Sequence, residues 1–108
     1  MGNIDNGPLT ESAYYILLSL YTPRHGYAIM QNISELSNSR INMGPGTLYG
    51  AITNLIDKGW ITLVTEDSRK KEYQITKLGR QVMDNEIKRL NELCENGKRV
   101  IEGDLKHE

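Results

Sequence analysis

Three amphipathic helices in a row, a pair of short alternating strands joined by a polar turn, and one long heptad-spaced helix predict an α+β, mainly α fold. In that order they describe a winged helix-turn-helix followed by a C-terminal dimerisation helix. The ranges expected are a flexible N-terminal tail over 1–8, the winged helix-turn-helix over 9–76, the C-terminal helix over 77–103 and a tail over 104–108.

Residues before Pro8 are polar and rich in Gly and Asn, which predicts a frayed tail. Thr10 is placed to N-cap a first helix through about Leu20, with Ala13, Ile16, Leu17 and Leu20 inside. Thr22, Pro23 and Arg24 break it, and Gly26 opens a second helix with Ile29, Ile33 and Leu36 along one side and Met30 widening the stripe. The polar run 37–40 ends that helix, and residues 40–43 read as a very short strand.

Residues 43–61 form the most informative stretch. Gly44 and Pro45 mark a helix start, since a first-turn proline lacks an N–H that would be unpaired there anyway. Gly59 marks the end, where glycine takes up the left-handed conformation at least cost. Leu48, Ile52, Leu55 and Ile56 share one face. Thr47, Tyr49, Gly50, Thr53, Asn54 and Asp57 share the other, a face that suits a DNA groove or equally a plain surface helix, so the flanking sequence decides.

Strand character follows over 60–66, with Ile61, Leu63 and Thr65 alternating. Residues 67–70 form a turn, and 71–75 return with Tyr73 and Ile75 on one face. Thr76 caps the last helix. There Met83, Ile87, Leu90, Cys94, Gly97 and Ile101 alternate steps of four and three, the seam of a coiled coil, and Leu93 and Val100 widen it. A helix protruding from so small a domain has little of its own to cover that seam, so a second copy of the chain is the natural partner. The alternative is a helix folded back on its own core.

Composition narrows the function classes. The 108 residues suit one small domain, and the net charge of -1 is unevenly spread. Residues 24–80 carry eight basic and five acidic side chains, a net of +3, between acidic ends. That distribution is compatible with phosphate binding. The single Cys94 excludes an internal disulfide and a cysteine zinc cluster, and on the seam it would be buried and inert. No apolar run approaches the roughly 20 residues of a membrane span, so the expected compartment is the cytoplasm, with no membrane partner. No cofactor or metal is implied. His25 precedes Gly-Tyr without a carboxylate or nucleophile at a fixed spacing, and His107 falls in the expected tail, so no catalytic site is expected. Trp60 reads as wing-base core, with an effector-pocket lining as the alternative.

The chain resembles the PadR family of bacterial transcriptional regulators. The resemblance rests on residues 9–31, including His25-Gly26-Tyr27. It rests also on Gly46-Thr47-Leu48-Tyr49 with Ala51, Ile52 and Leu55, on Gly59-Trp60-Ile61, on Tyr73-Gln74-Ile75-Thr76 and on Leu78-Gly79-Arg80. It implies a homodimeric repressor that binds a palindromic operator and releases it when a small-molecule effector binds. The expected DNA contacts are Thr47, Tyr49, Thr53 and Asn54 on the third helix, Arg40 before it, and Arg69, Lys70 and Lys71 at the wing tip. In the resembling motif Tyr49 turns toward the DNA backbone, and its other reading is a tyrosine at the core edge. A winged-helix protein-interaction module that does not bind DNA is the rival.

Overall fold

A computed structural model describes residues 7–66 and 70–107. The elements are α1 (Glu11–Ser19), β1 (Arg24–His25), α2 (Gly26–Leu36), α3 (Pro45–Asp57), β2 (Ile61–Glu66), β3 (Lys71–Ile75) and α4 (Lys77–His107). The expected tail over 1–8 lies mostly outside the described residues.

Local sequence accounts for the helix ends. Thr10 caps α1, its hydroxyl accepting from the Ala13 N–H at 3.1 Å. Gly44 is the N-cap of α3 and Pro45 fills its first turn. Gly59 beyond its C-terminus has φ 77°, the left-handed region. Thr76 starts α4 by accepting from the Gly79 N–H at 3.0 Å, while its own hydroxyl donates to the Gly59 carbonyl at 2.7 Å. That one side chain ties the last helix to the turn that ends α3.

The expected strand over 40–43 does not form. Asn38 and Ser39 both take positive φ, and Ser37 Oγ donates to the Ile33 carbonyl and accepts from the Ile41 N–H at 3.0 Å, which uses the backbone in a turn. The third strand is instead β1, antiparallel to β3, in the order β1-β3-β2. Ile61 faces Ile75 and Leu63 faces Tyr73, with a bulge between Leu63 and Thr65.

Ile16 and Leu17 of α1 and its C-cap Leu20, Ile29 and Ile33 of α2, Leu48, Ile52 and Leu55 of α3, Trp60, Ile61, Tyr73 and Ile75 of the wing, and Val82 and Met83 of α4 make one core cluster. Two stripes are narrower than expected, because Leu36 and Ile56 lie at 45% and 40% exposure. Met83, expected on the seam, is buried in the domain's own core. α4 runs to His107 rather than stopping at 103: Gly103 stays within the helix and no proline follows to break it.

Candidate nucleic-acid interface

Burial of Leu48, Ile52 and Leu55 leaves α3 with one outward face, on which Gly46, Thr47, Tyr49, Gly50, Thr53 and Asn54 are exposed. The structure therefore brings the four expected α3 residues onto one side of one helix. Thr53 Oγ1 donates to the Tyr49 carbonyl at 3.0 Å, which leaves its lone pairs and methyl group outward. No Lys or Arg occurs in α3.

The basic residues of the +3 block have separate fates. Arg24 Nε donates to the Ser19 carbonyl at 2.9 Å. Arg80 lies over the Tyr21 ring at 4.7 Å and Lys58 over the Trp60 ring at 4.6 Å. Arg40, expected to meet phosphate, pairs with Glu11 of α1 at 2.7 Å, and the bond raises the arginine pKa while holding the Glu11 carboxyl below its ordinary value. It is directed to α1 rather than to the α3 face. Lys70 and Lys71 stay exposed at the start of β3, and Arg69 lies outside the described residues. Exposed positive charge is thus found on the wing at Lys70 and Lys71 and at Lys77 where α4 starts, whereas the outward face of α3 carries neutral hydrogen-bonding groups and, at its C-terminal end, the acid Asp57.

The core-edge alternative for Tyr49 describes part of its placement, and what the sequence does not show is its neighbour. Its ring is 47% exposed and rests across Gly26, the buried first residue of α2: a Cβ there would overlap the hydroxyl and stand 2.8 Å from Cζ. Burial, with a smaller contribution from Tyr49, pushes the Tyr73 phenol above its usual range. The signal was present as two separate motifs, Gly26 in one and Tyr49 in the other, with nothing in either to show that they touch.

Beyond the core, α4 presents Ile87, Leu90, Leu93, Val100 and Ile101 at 39% to 63% exposure, and Cys94 is exposed as well. Gly97 has open space around it. The expected seam is thus an uncovered apolar stripe from Ile87 onward. At its inner end Glu86 is buried, accepting from the Leu9 N–H at 3.1 Å and from Arg89 Nε and Nη2 at 2.7 and 2.8 Å. A cleft of about 230 Å³ opens there between α1, Arg40 and α4. Among the described residues no cluster of His, Cys, Asp or Glu could hold a metal ion, and no helix is long and apolar enough to cross a membrane.

Three helices with the third presented outward, a three-stranded wing and an appended long helix define a winged helix-turn-helix protein. The profile of the transcriptional regulator PadR-like family matches residues 16–85. The chain belongs to that family, whose members are regulators of transcription rather than enzymes. A 37.1 kDa protein in transposon TN4556 of Streptomyces fradiae is 38% identical over 64 residues, 59% of this chain but only 18% of that protein's length. Protein X of Lysinibacillus sphaericus is 32% identical over 82 residues, 72% of this chain and 75% of that protein. Among solved structures, a transcriptional regulator from Clostridium thermocellum is similar with a TM-score of 0.61 at 25% identity, over 86% of this chain and 90% of that one. RosR of H. salinarum shares the fold with a TM-score of 0.71 at 22% identity, over 96% and 100% of the two chains.

Proposed function

We propose that the chain is a homodimeric repressor that binds a palindromic operator and is released from it by a small molecule. The observation that carries the DNA reading is α3 itself: Leu48, Ile52 and Leu55 anchor it by burial on one side, and Thr47, Thr53 and Asn54 stand exposed on the other. In this reading two copies of α3 enter successive major grooves about 10 base pairs apart. Asn54 is a bidentate partner for adenine, and Lys70 and Lys71 with Arg69 hold phosphates.

The uncovered stripe of α4 supports the dimer, because a second copy of the same stripe covers it. The cleft at its inner end supports the effector step. It is smaller than the pockets of about 300 Å³ and more that hold drug-sized ligands, and it touches both α4 and Arg40, in the segment that leads into α3. A ligand there that prefers one arrangement of α1 and α4 favours a spacing of the two reading helices that fits the operator poorly.

The absence of Lys and Arg from α3 and the net charge of -1 favour the second reading, a protein-interaction module. A band-shift titration in salt separates the two. The wild-type chain is expected to bind the DNA upstream of its own gene with salt-dependent affinity. Lys70→Ala/Lys71→Ala is expected to weaken binding and flatten the log–log salt slope by about 2, roughly one for each lysine that no longer meets a phosphate. A wild-type chain with no salt-sensitive binding to that DNA establishes the interaction module instead.

A further inference from the structure

Tyr27 and Tyr49 stand at the meeting of α2 and α3, and their surroundings differ. The Tyr49 ring joins two elements: it projects from α3 and lies across Gly26 at the start of α2. Its placement is that of a spacer, and Gly26 is the residue whose missing side chain makes room for it. Tyr27 is the next residue along α2 and is 61% exposed. Its hydroxyl accepts a hydrogen bond from Gln31 Nε2 at 3.2 Å, one turn further on. A phenol has one proton and two lone pairs, and this bond uses a lone pair, not the proton. Gln31 therefore steadies the ring with the O–H still able to donate outward.

The surroundings suit a phosphate. In a helix-turn-helix the first helix of the pair crosses the DNA backbone while the second lies in the groove, and α2 is the first of the pair here. Tyr27 stands in its opening turn, at the positive end of the helix dipole, and that turn contains no acidic residue of its own, although Glu72 of β3 pairs with His25 just before it. Because Tyr49 of α3 rests on Gly26, the opening turn of α2 borders the exposed face of α3.

We propose that Tyr27 is the tyrosine that meets the DNA backbone, donating its phenolic proton to a phosphate, and that Tyr49 is a positioning residue that sets α3 against α2. The proposal rests on the DNA-binding reading above. It transfers to Tyr27 the hydroxyl contact that the sequence suggests for Tyr49.

The test uses the full chain with two duplexes, its own upstream DNA and a scrambled sequence of equal length, at fixed salt. Tyr27→Phe is expected to lose roughly tenfold on both duplexes alike, because a phosphate contact carries no sequence information and a hydrogen bond to a charged group has about that worth. Its salt slope stays at the wild-type value, since no cation is removed. Tyr49→Phe keeps the ring and binds within about twofold of wild type, since it removes no bond to DNA. Gly26→Ala pushes the flexible ring aside and lowers the ratio of specific to scrambled binding, while the wing keeps its hold on phosphate. In a Tyr49→Ala background the same substitution adds little, the non-additivity expected of two residues in contact. Circular dichroism checks folding, and if Gly26→Ala is unfolded the two Phe variants, which remove a single oxygen each, still decide. Wild-type affinity for Tyr27→Phe, or a tenfold loss for Tyr49→Phe alone, overturns the assignment. A wild-type chain that binds neither duplex overturns the DNA-binding reading itself, so the two failures are distinguishable.

Discussion

Gly79 sits in the first turn of α4, where an added Cβ would overlap the Trp60 carbonyl oxygen and stand 2.7 Å from Ile75 Cγ1 and 3.0 Å from the Trp60 carbonyl carbon. Two of the three colliding atoms are backbone at the entry to β2, and the Trp60 carbonyl also accepts from the Thr76 N–H at 2.9 Å. It cannot retreat without breaking that bond, unlike a flexible side-chain tip. Overpacking of this kind costs typically 1–3 kcal/mol, and a backbone collision belongs at about 3. Alanine recovers about 1 kcal/mol of helix propensity over glycine, so Gly79→Ala should lose about 2 kcal/mol net. For a domain near 100 residues that corresponds to a fall in Tm of roughly 8–16 °C. The single tryptophan, Trp60, is 2% exposed and reports unfolding by fluorescence. The control is Gly50→Ala, at a helical position with nothing within 4 Å of the added carbon. It should gain up to about 1 kcal/mol. Melts run at equal chain concentration give the comparison. A Gly79→Ala chain that melts within about 2 °C of wild type, or a Gly50→Ala chain that loses as much as Gly79→Ala should, would refute the close docking of α4 on the wing base.

Two further outcomes follow from the same helix. The Arg89 hydrogen bonds hold the buried Glu86 carboxyl below its ordinary value of 4.5, against the opposing effect of burial. A depressed folded pKa contributes stability that is fully present above about pH 4.5 and is lost as the pH falls through the lowered folded value. Glu86→Gln should therefore be less stable than wild type at about pH 7 and show a shallower acid limb in Tm against pH, and parallel limbs would exclude the linkage. Glu11→Gln should change the acid limb little, because its pair with Arg40 is exposed on both sides. Leu90→Asp places a charge on the uncovered stripe at a residue already 39% exposed, so it should give folded monomer in sedimentation, and a wild-type dimer would refute the seam.

What could be read from the sequence was what repeats at short range. Buried Leu48, Ile52 and Leu55 announce themselves by spacing, and Gly44, Pro45, Gly59 and Thr76 mark element ends by chemistry that acts within a few residues. The two-residue β1 has no such mark, since Arg24 and His25 become a strand only by pairing with Tyr73 and Glu72. Arg40 illustrates the same limit at the site. A lone arginine before the reading helix reads as a phosphate ligand, and nothing in its neighbourhood shows that Glu11, 29 residues earlier, also pairs with it. Tyr49 needed Gly26, and Glu86 needed the backbone of Leu9. In each case the deciding partner is distant in the chain and leaves no periodic trace.

The fate of Met83 has a mechanical consequence for the proposed dimer. The first turns of α4 are fixed to the domain by Thr76, by the close approach at Gly79 and by burial of Val82, Met83 and Glu86. The stripe that would meet a partner begins one turn later, at Ile87, on the same unbroken helix of 31 residues, about 46 Å long. Had Met83 lain on the seam, the helix could pivot at its root. Because it lies in the core with the wing residues, a tilt imposed on the stripe is carried by the whole winged domain. A rotation of about 5° over a rod of about 46 Å displaces its far end by about 4 Å, which exceeds the tolerance of a hydrogen bond to a base edge. In the proposed dimer, a small change at the helical interface would therefore be enough to take one reading helix off its half-site while its partner stayed seated.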